Sequence, residues 1–399
     1  MSKQIQDAYI VAAVRTPVAR RNGAFRHVRP DDMLARVLRD VLAKVPNLDA
    51  TEIGDVITGC AMPEAEQGMN VARIGLLLAG LPDGVPGITI NRFCASGLQA
   101  VADAASRIRL GEADVMIAAG TESMSAMPQI MGNKVSLNPE IFAHAENLSI
   151  AYGMGLTAEK VAQQWKVSRE DQDAFAVESH RRACAAIAAG HFADEILPYA
   201  VKSYAPGADG TVRITERVLE HDEGPRPDAD ADTLAKLRPV FAARGSVTAG
   251  NSSQMSDGAA AVLLMSEAAV KRYDVKPIAR FAGFAVAGVP PEVMGIGPVE
   301  AIPRALARAG LQLADIGWAE LNEAFAAQAL AVMRQLDMDP GKVNPLGGAI
   351  ALGHPLGATG AIRTATLMAA MQRDPGLRYG MISMCIGTGM GAAGVFERV

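Results

Sequence analysis

Cys94 lies in "INRFCASGLQAV" (90–101), where an apolar stretch gives way to Ala95, Ser96 and Gly97 and a helical pattern begins. A helix N-terminus offers free N–H groups and a partial positive charge, and both favour thiolate over thiol. The small neighbours leave room for a bulky substrate. The ordinary alternative for a single cysteine is a buried, inert side chain. His354 stands in a Gly-rich turn, "GGAIALGHPLGATGA" (347–361), again ahead of a helical stretch. Such turns can cradle phosphates, but the Lys-Ser/Thr of a nucleotide P-loop is missing. Between Gly353 and Pro355 the histidine is constrained and, on this reading, partly unshielded, which suits a base better than a structural hydrogen bond. Cys385 ends an apolar run in "CIGTGMGAAG" (385–394), and the glycines after it let backbone N–H groups approach a substrate oxygen. Asn322, in "LNEAFAAQAL" (321–330), sits at a strand-to-helix junction. It is either a plain helix cap or a group that orients a water or donates to an oxyanion.

The elements that must position these residues alternate. "AYIVAAV" (8–14), "DVITGCAM" (55–62), "GITI" (87–90) and "DVMIAAGTES" (114–123) read as strands, and "DDMLARVLRDVLAKV" (31–45) and "SGLQAVADAASRIRLGE" (96–112) as helices. Such alternation predicts an α/β fold with a mostly parallel sheet covered on both faces. The second half repeats the plan. "EAIPRALARAGLQLADIGWAELN" (300–322) echoes "LARVLRDVLAKVPNLDATEIGDVITG" (34–59), and the aligned Ile53-Gly54 and Ile316-Gly317 are 263 residues apart. On that spacing Cys94 falls within a few residues of His354, and "GMISMCIGTGMG" (380–391) takes the place of the strand at 114–123. Two copies of one unit, with their unusual residues at matching junctions, imply a site shared between the halves. The intervening segment, 122 to about 247, is richer in charge, Pro and Met and holds a polar helix at 168–192 with capping-box spacing between Ser168 and Asp171. It reads as an inserted loop domain over the active face. The expected division is 1–121 plus 248–272, 122–247, and 273–399.

A chain of 399 residues exceeds what one core usually organises. The formal net charge of −5, with no basic tract, gives no reason to expect nucleic acid or an anionic membrane as partner. The four cysteines are scattered, with no CxxC pair, so neither a disulfide framework nor a metal site is expected. The first residues lack the apolar core of a signal peptide, and no apolar run is long enough to span a bilayer; the expected location is cytoplasmic.

Taken together, "VRTPVAR" (14–20), "VTAGNSSQMSDGAAAVLLMSE" (247–267), "MGIGPVEA" (294–301), "NEAF", "GHPLGATGA" and "CIGTGMG" resemble the thiolase family over nearly the whole chain. Each motif alone is common; their order and spacing are specific. The resemblance implies a duplicated fold of two mixed five-stranded sheets with helices in five layers (αβαβα), plus the inserted loop domain. It also implies that Cys94 is a nucleophile attacking the 3-keto carbon of a 3-ketoacyl-CoA, in two half-reactions through an acyl-cysteine. On the same grounds His354 takes the proton from Cys94, and Cys385 is the general acid/base at the acetyl carbon. His354 and a water held by Asn322 would form one oxyanion pocket, and the backbone N–H groups of Cys94 and Gly387 a second.

Coenzyme A is then a substrate, with no permanently bound cofactor and no metal. By the same resemblance, Arg226 faces its nucleotide end, Ser253 bonds the pantetheine, and Ala249, Phe241 and Phe325 line the pantetheine tunnel, with Met154 in the Met154-Gly155 pair beside them. Gly153 precedes that pair where relatives specialised for acetoacetyl-CoA often carry histidine. With the short segment between Ser125 and Met154 and the ending "VFERV", this looks more like degradative 3-ketoacyl-CoA thiolases of β-oxidation acting on medium or longer chains. The alternatives are an acetoacetyl-CoA thiolase condensing two acetyl-CoA, a ketoacyl synthase, against which Cys385 speaks, and a non-catalytic lipid carrier of the same fold. The resemblance further implies a homodimer or homotetramer, and degradative relatives can join hydratase/dehydrogenase subunits in a multienzyme complex.

Overall fold

The structure is a computed structural model that describes residues 5–126, 137–207 and 210–399. Its strands are β1 (Ala8–Arg15), β2 (Ala19–Arg20), β3 (Ile53–Gly59), β4 (Gly87–Ile90), β5 (Val115–Ser123), β6 (Tyr199–Pro206), β7 (Val212–Leu219), β8 (Ser256–Ser266), β9 (Ala279–Gly288), β10 (Trp318–Leu321), β11 (Tyr379–Ile386) and β12 (Met390–Arg398). The first half has the spatial order β4-β3-β5-β8-β1 and the second β10-β11-β12-β9. In the first, β3 runs parallel to β4 and β5, while β8 is antiparallel to β5 and β1. In the second, β10 is parallel to β11, and β12 is antiparallel to β11 and β9. The position matching β4 is a single parallel bridge, Ala319 to Val343. The halves meet where β1 and β9 pair over Tyr9–Arg280 and Ile10–Ala279, which makes the two half-sheets continuous.

The layers follow from the burial pattern. Helices Pro30–Leu42 and Val71–Leu78 pack their apolar sides on the first half-sheet. Helices Gly297–Ala309 and Ala326–Leu336 do the same on the second. Between the sheets lie helices Ser96–Arg109 and Leu356–Arg373, and their core joins strand residues of both halves, including Ile57, Met116, Ile382 and Met384. A helix enclosed on all sides cannot keep a polar face, and residues 357–371 are buried without interruption. The two middle helices approach through glycine: a Cβ on Gly97 would lie 2.6 Å from Ala361 N, and one on Gly360 would lie 2.1 Å from Leu98 N.

Several boundaries differ from the sequence reading, for local reasons. Helix Pro30–Leu42 stops short of Val45 because Pro46 follows, and the residue before a proline is steered away from helix. Helix Ser96–Arg109 stops before Gly111, and helix Arg169–Ala188 before Gly190, both at positive φ. β3 ends at Gly59 rather than Met62 because the next N–H groups turn away: Cys60 N donates to Ile90 O, and Ala61 N and Met62 N donate to Glu122. Ser168 Oγ does accept from Asp171 N, 3.1 Å away.

The described part of the intervening segment carries the helices Met154–Gln164 and Arg169–Ala188 and the hairpin β6–β7. It is fastened to the sheets by a buried ion cluster. Arg15, on β1, donates to Glu195 Oε1 at 2.6 Å and to both oxygens of Asp222 at 2.7 and 2.9 Å. Glu195 also accepts from Thr366 of the Leu356–Arg373 helix, 2.9 Å away. Much of the sequence between Ser125 and Met154 (residues 127–136) lies outside the described residues.

Candidate active site

Cys94 sits on a tight turn between β4 and helix Ser96–Arg109. Phe93, just before it, has φ +44°, a left-handed conformation that costs a bulky residue about 1–3 kcal/mol. Three hydrogen bonds hold the turn. Asn91 Oδ1 accepts from Phe93 N (2.7 Å), while Ser96 Oγ accepts from Arg92 N (2.8 Å) and donates to Phe93 O (2.7 Å). Cys94 is partly buried and precedes the helix by two residues. Its own N–H and that of Gly387 face the sulfur and favour thiolate, but burial outweighs them and the Glu122 charge adds to it, so the thiol is pushed up to about 11. The expectation of a resting thiolate at a helix N-terminus is therefore corrected: desolvation wins.

His354 lies two residues before the facing middle helix. The sequence reading took it as partly unshielded; it is only 4% exposed. Its backbone N–H donates to Gln254 O at 3.1 Å. Nε2 lies 3.3 Å from Asn322 Nδ2, which can only donate. That assigns the lone pair to Nε2 and the proton to Nδ1, placed 2.6 Å from Thr359 Oγ1. Burial and the Arg363 charge lower its pKa to about 3, so the ring is neutral at pH 7. Asn322 is held at the end of β10 by its N–H bond to Ser383 O (2.8 Å). Its Oδ1 is buried without a protein partner. A buried amide oxygen of this kind is satisfied by water or by substrate.

Cys385, at the end of β11, is buried against Ala158, Val247, Met294, Ala324 and Phe325. Burial and the neighbouring Cys94 raise its thiol well above the ordinary range, which keeps its proton available. Gly387 follows on the same turn, where a Cβ would lie 3.6 Å from Met154 Sδ and 3.8 Å from the Phe93 ring. Cys94, His354, Cys385, Asn322 and Gly387 thus come from four junctions, one in the first half and three in the second, and the geometry joins them as pairs: Cys94 with Gly387 and Cys385, and His354 with Asn322.

Of the residues assigned to coenzyme A, Phe241 and Phe325 pack edge to face with ring centroids 6.1 Å apart. Gly155 lies against the Phe241 ring, where a Cβ would come within 2.1 Å. Ser253 is anchored by its N–H to Ala324 O at 3.0 Å, and Ala249 is exposed on the same loop. Phe325 packs in one cluster with Cys385, and exposed Met154 lies beside Gly387. Arg226 stands apart: it is exposed, its N–H donates to His180 Nδ1 (3.1 Å), and among the described residues no hydrogen bond or ion pair joins it to the five catalytic candidates. Sequence reasoning missed Thr359 and Met294. Both lie inside motifs already singled out, Thr359 five residues after His354, but only the fold shows that they touch the site.

Paired thiols with backbone N–H groups at one sulfur, and an imidazole joined to an asparagine, on a duplicated α/β frame, have the makings of an acyl-transfer site. Residues 8–268 match the family described as thiolase, N-terminal domain, and residues 275–398 match thiolase, C-terminal domain; the chain belongs to the thiolase family. It is 53% identical to a 3-ketoacyl-CoA thiolase of Bacillus subtilis (strain 168), over 98% of this chain and all of that one. It is 48% identical to 3-ketoacyl-CoA thiolase 2, peroxisomal, of Arabidopsis thaliana, over 98% of this chain and 84% of that one. The crystal structure of the Bacillus anthracis acetyl-CoA acetyltransferase superposes with a TM-score of 0.89 at 39% identity, covering both chains completely. Among the described residues no helix is long and apolar enough to cross a membrane, and no group of three or more His, Cys, Asp or Glu could hold a metal ion.

Proposed function

We propose that the protein cleaves 3-ketoacyl-CoA with coenzyme A, releasing acetyl-CoA and an acyl-CoA shortened by two carbons. The observation that carries this is the pairing of two cysteines, Cys94 beside Cys385 and the Gly387 N–H, together with His354 Nε2 3.3 Å from Asn322 at the facing turn. Nε2 of His354 takes the Cys94 proton as the sulfur attacks the 3-keto carbon, and the Cys94 and Gly387 N–H groups receive the oxyanion. As the Cα–Cβ bond breaks, its electron pair passes to the acetyl thioester enolate. That enolate is stabilised by His354 with a water on Asn322 Oδ1 and is protonated at carbon by Cys385. The Cys385 thiolate then takes the proton of the incoming coenzyme A thiol, whose sulfur attacks the acyl-cysteine, and Cys94 leaves and recovers its proton from His354.

The 122–247 segment, in this reading, is the loop domain that receives coenzyme A, between halves 1–121 plus 248–272 and 273–399. Met154, Phe241, Ala249, Ser253 and Phe325 contact the pantetheine, and Arg226 the nucleotide. Coenzyme A enters as a substrate and no cofactor stays bound. The protein acts in the cytoplasm in fatty-acid β-oxidation as a homodimer or homotetramer. The outer side of edge strand β4 supports an oligomer, since Ile88, Met62, Met69, Ile74 and Leu77 are exposed around it. Kinetics on 3-ketoacyl-CoAs of increasing chain length, with Cys94→Ala as control, test the reading. Turnover of medium and longer chains is expected. Activity confined to acetoacetyl-CoA would instead favour an acetyl-CoA acetyltransferase.

A further inference from the structure

Glu122 is fully buried at the end of β5, and among the described residues no cation pairs with it. Both of its oxygens are nevertheless occupied. Oε2 accepts from Ala61 N (2.7 Å) and Gly357 N (2.9 Å), and Oε1 accepts from Met62 N (3.2 Å) and Gln67 Nε2 (2.5 Å), with the Cys60 thiol 3.8 Å away. Burial pushes its pKa up, and these N–H groups pull it down. An N–H group can only donate, so four of them converging on two oxygens favour the carboxylate form against the burial.

One donor, Gly357, belongs to the His354 turn, and the segment that carries the other three is bonded to the Cys94 turn. Gly357 is the second residue of the helix that follows His354 and Pro355, and its Cβ position lies 2.5 Å from Ala61 N, so the helix start rests directly on the 60–61 turn. On the other side, Ala61 O accepts from Asn91 Nδ2 (2.9 Å), and Asn91 Oδ1 holds the N–H of positive-φ Phe93 (2.7 Å), one residue before Cys94. An unbroken path of short bonds therefore runs from the Cys94 turn through one carboxylate to the His354 helix.

We infer that Glu122 is a positioning residue that locks the nucleophile turn of one half to the base turn of the other. The inference rests on Cys94 and His354 acting as proposed above. One carboxylate replaces two separate anchors, so shifting either turn costs the other its hydrogen bond. Its charge also acts through space on the Cys94 thiol and raises it.

The test compares Glu122→Gln, Glu122→Asp and Asn91→Ala, reading kcat, the KM for coenzyme A, and the pH dependence of Cys94 alkylation by iodoacetamide. Glu122→Gln turns an amide NH2 against two donors. It should lower kcat roughly tenfold to a hundredfold, the scale of an ångström-sized misplacement, with little change in KM. It should also move the alkylation midpoint to lower pH, because the charge is gone. Glu122→Asp keeps the charge but lacks the reach, so kcat falls while the midpoint stays. Asn91 is exposed, so Asn91→Ala should fold; it cuts only the nucleophile arm and lowers kcat with the midpoint unmoved. Wild-type kcat in Glu122→Gln overturns the inference. So does an unmoved midpoint in Glu122→Gln, and so does a silent Asn91→Ala, which decides alone where the Glu122 variants do not fold. A parallel Cys94→Ala that stays active refutes the functional reading itself, whatever the Glu122 variants do.

Discussion

In the free enzyme Cys94 and His354 should both be neutral, and the pH dependence of Cys94 modification reports this directly. With the thiol at about 11, the thiolate fraction at pH 7 is about one in ten thousand, against about 3% for an unperturbed cysteine. The histidine at about 3 is protonated to a similarly small extent. A gap of about eight pKa units makes proton transfer at rest unfavourable by about 11 kcal/mol. Mutual attraction of the resulting ions at hydrogen-bonding separation returns about 4 kcal/mol at an effective dielectric of 20. The remaining ~7 kcal/mol is too much for a stored ion pair. It is well below the ~16 kcal/mol barrier of a reaction turning over about ten times per second. Deprotonation therefore belongs to the attack step, when the oxyanion donors begin to share charge. The assay is the rate of Cys94 alkylation by iodoacetamide between pH 6 and 10, in wild type and His354→Asn. Wild type should show a rise of about tenfold per pH unit above pH 7 with no plateau. His354→Asn should keep that profile while kcat falls by roughly 100- to 10,000-fold, the range for a lost general base. A plateau below pH 7.5 that disappears in His354→Asn would show a preformed thiolate–imidazolium pair and refute this reasoning.

Asn322→Ala removes the Nε2 contact and the unpartnered Oδ1 together; kcat should fall roughly 100- to 1000-fold with Cys94 alkylation unchanged, as single-turnover kinetics would show. Arg15→Ala strands Glu195 and Asp222 in the interior, so urea denaturation should show a loss of about 3–5 kcal/mol. His180 is held at about 4 by burial and by Arg226, against about 6.5 unfolded, so between those values the unfolded chain binds more protons. Its contribution is full above pH 6.5 and declines as pH falls. Between pH 6.5 and 5, His180→Gln should lose about 2 kcal/mol less stability than wild type.

The repeated plan of the halves was legible because its signal is periodic and local: apolar runs, Ile-Gly pairs and the order of the strands follow from the chain itself. So was the identity of the chemical side chains, whose types and neighbouring glycines restrict what they can do. The protonation states were not legible. The helix start beside Cys94 argued for thiolate, and only the packing shows that burial and a distant carboxylate overrule it. His354 looked unshielded because its neighbours are small, yet those small neighbours are what let other backbone close over it. Glu122 escaped notice because nothing near it in sequence marks it; its four donors come from residues 61, 62, 67 and 357.

The duplication explains why the site is buried at all. In each half the helix after the fourth position of the repeat, Ser96–Arg109 or Leu356–Arg373, lies on the inner face of its sheet. Joining the halves through β1 and β9 turns both helices inward and brings their N-termini together. The turns just ahead of them, which carry Cys94 and His354, are thereby brought to the same end of the helix pair, provided the helices can touch. Gly97 and Gly360 are the positions where they touch, each with backbone of the other helix closer than 3 Å to where a Cβ would stand. Any side chain there would part the helices and separate a nucleophile from a base more than 250 residues away in sequence. The glycines that look like loose turns in the sequence are therefore the closest-packed part of the catalytic apparatus, and Gly360→Ala should cost activity before it costs the fold, measurable as a fall in kcat at unchanged circular dichroism.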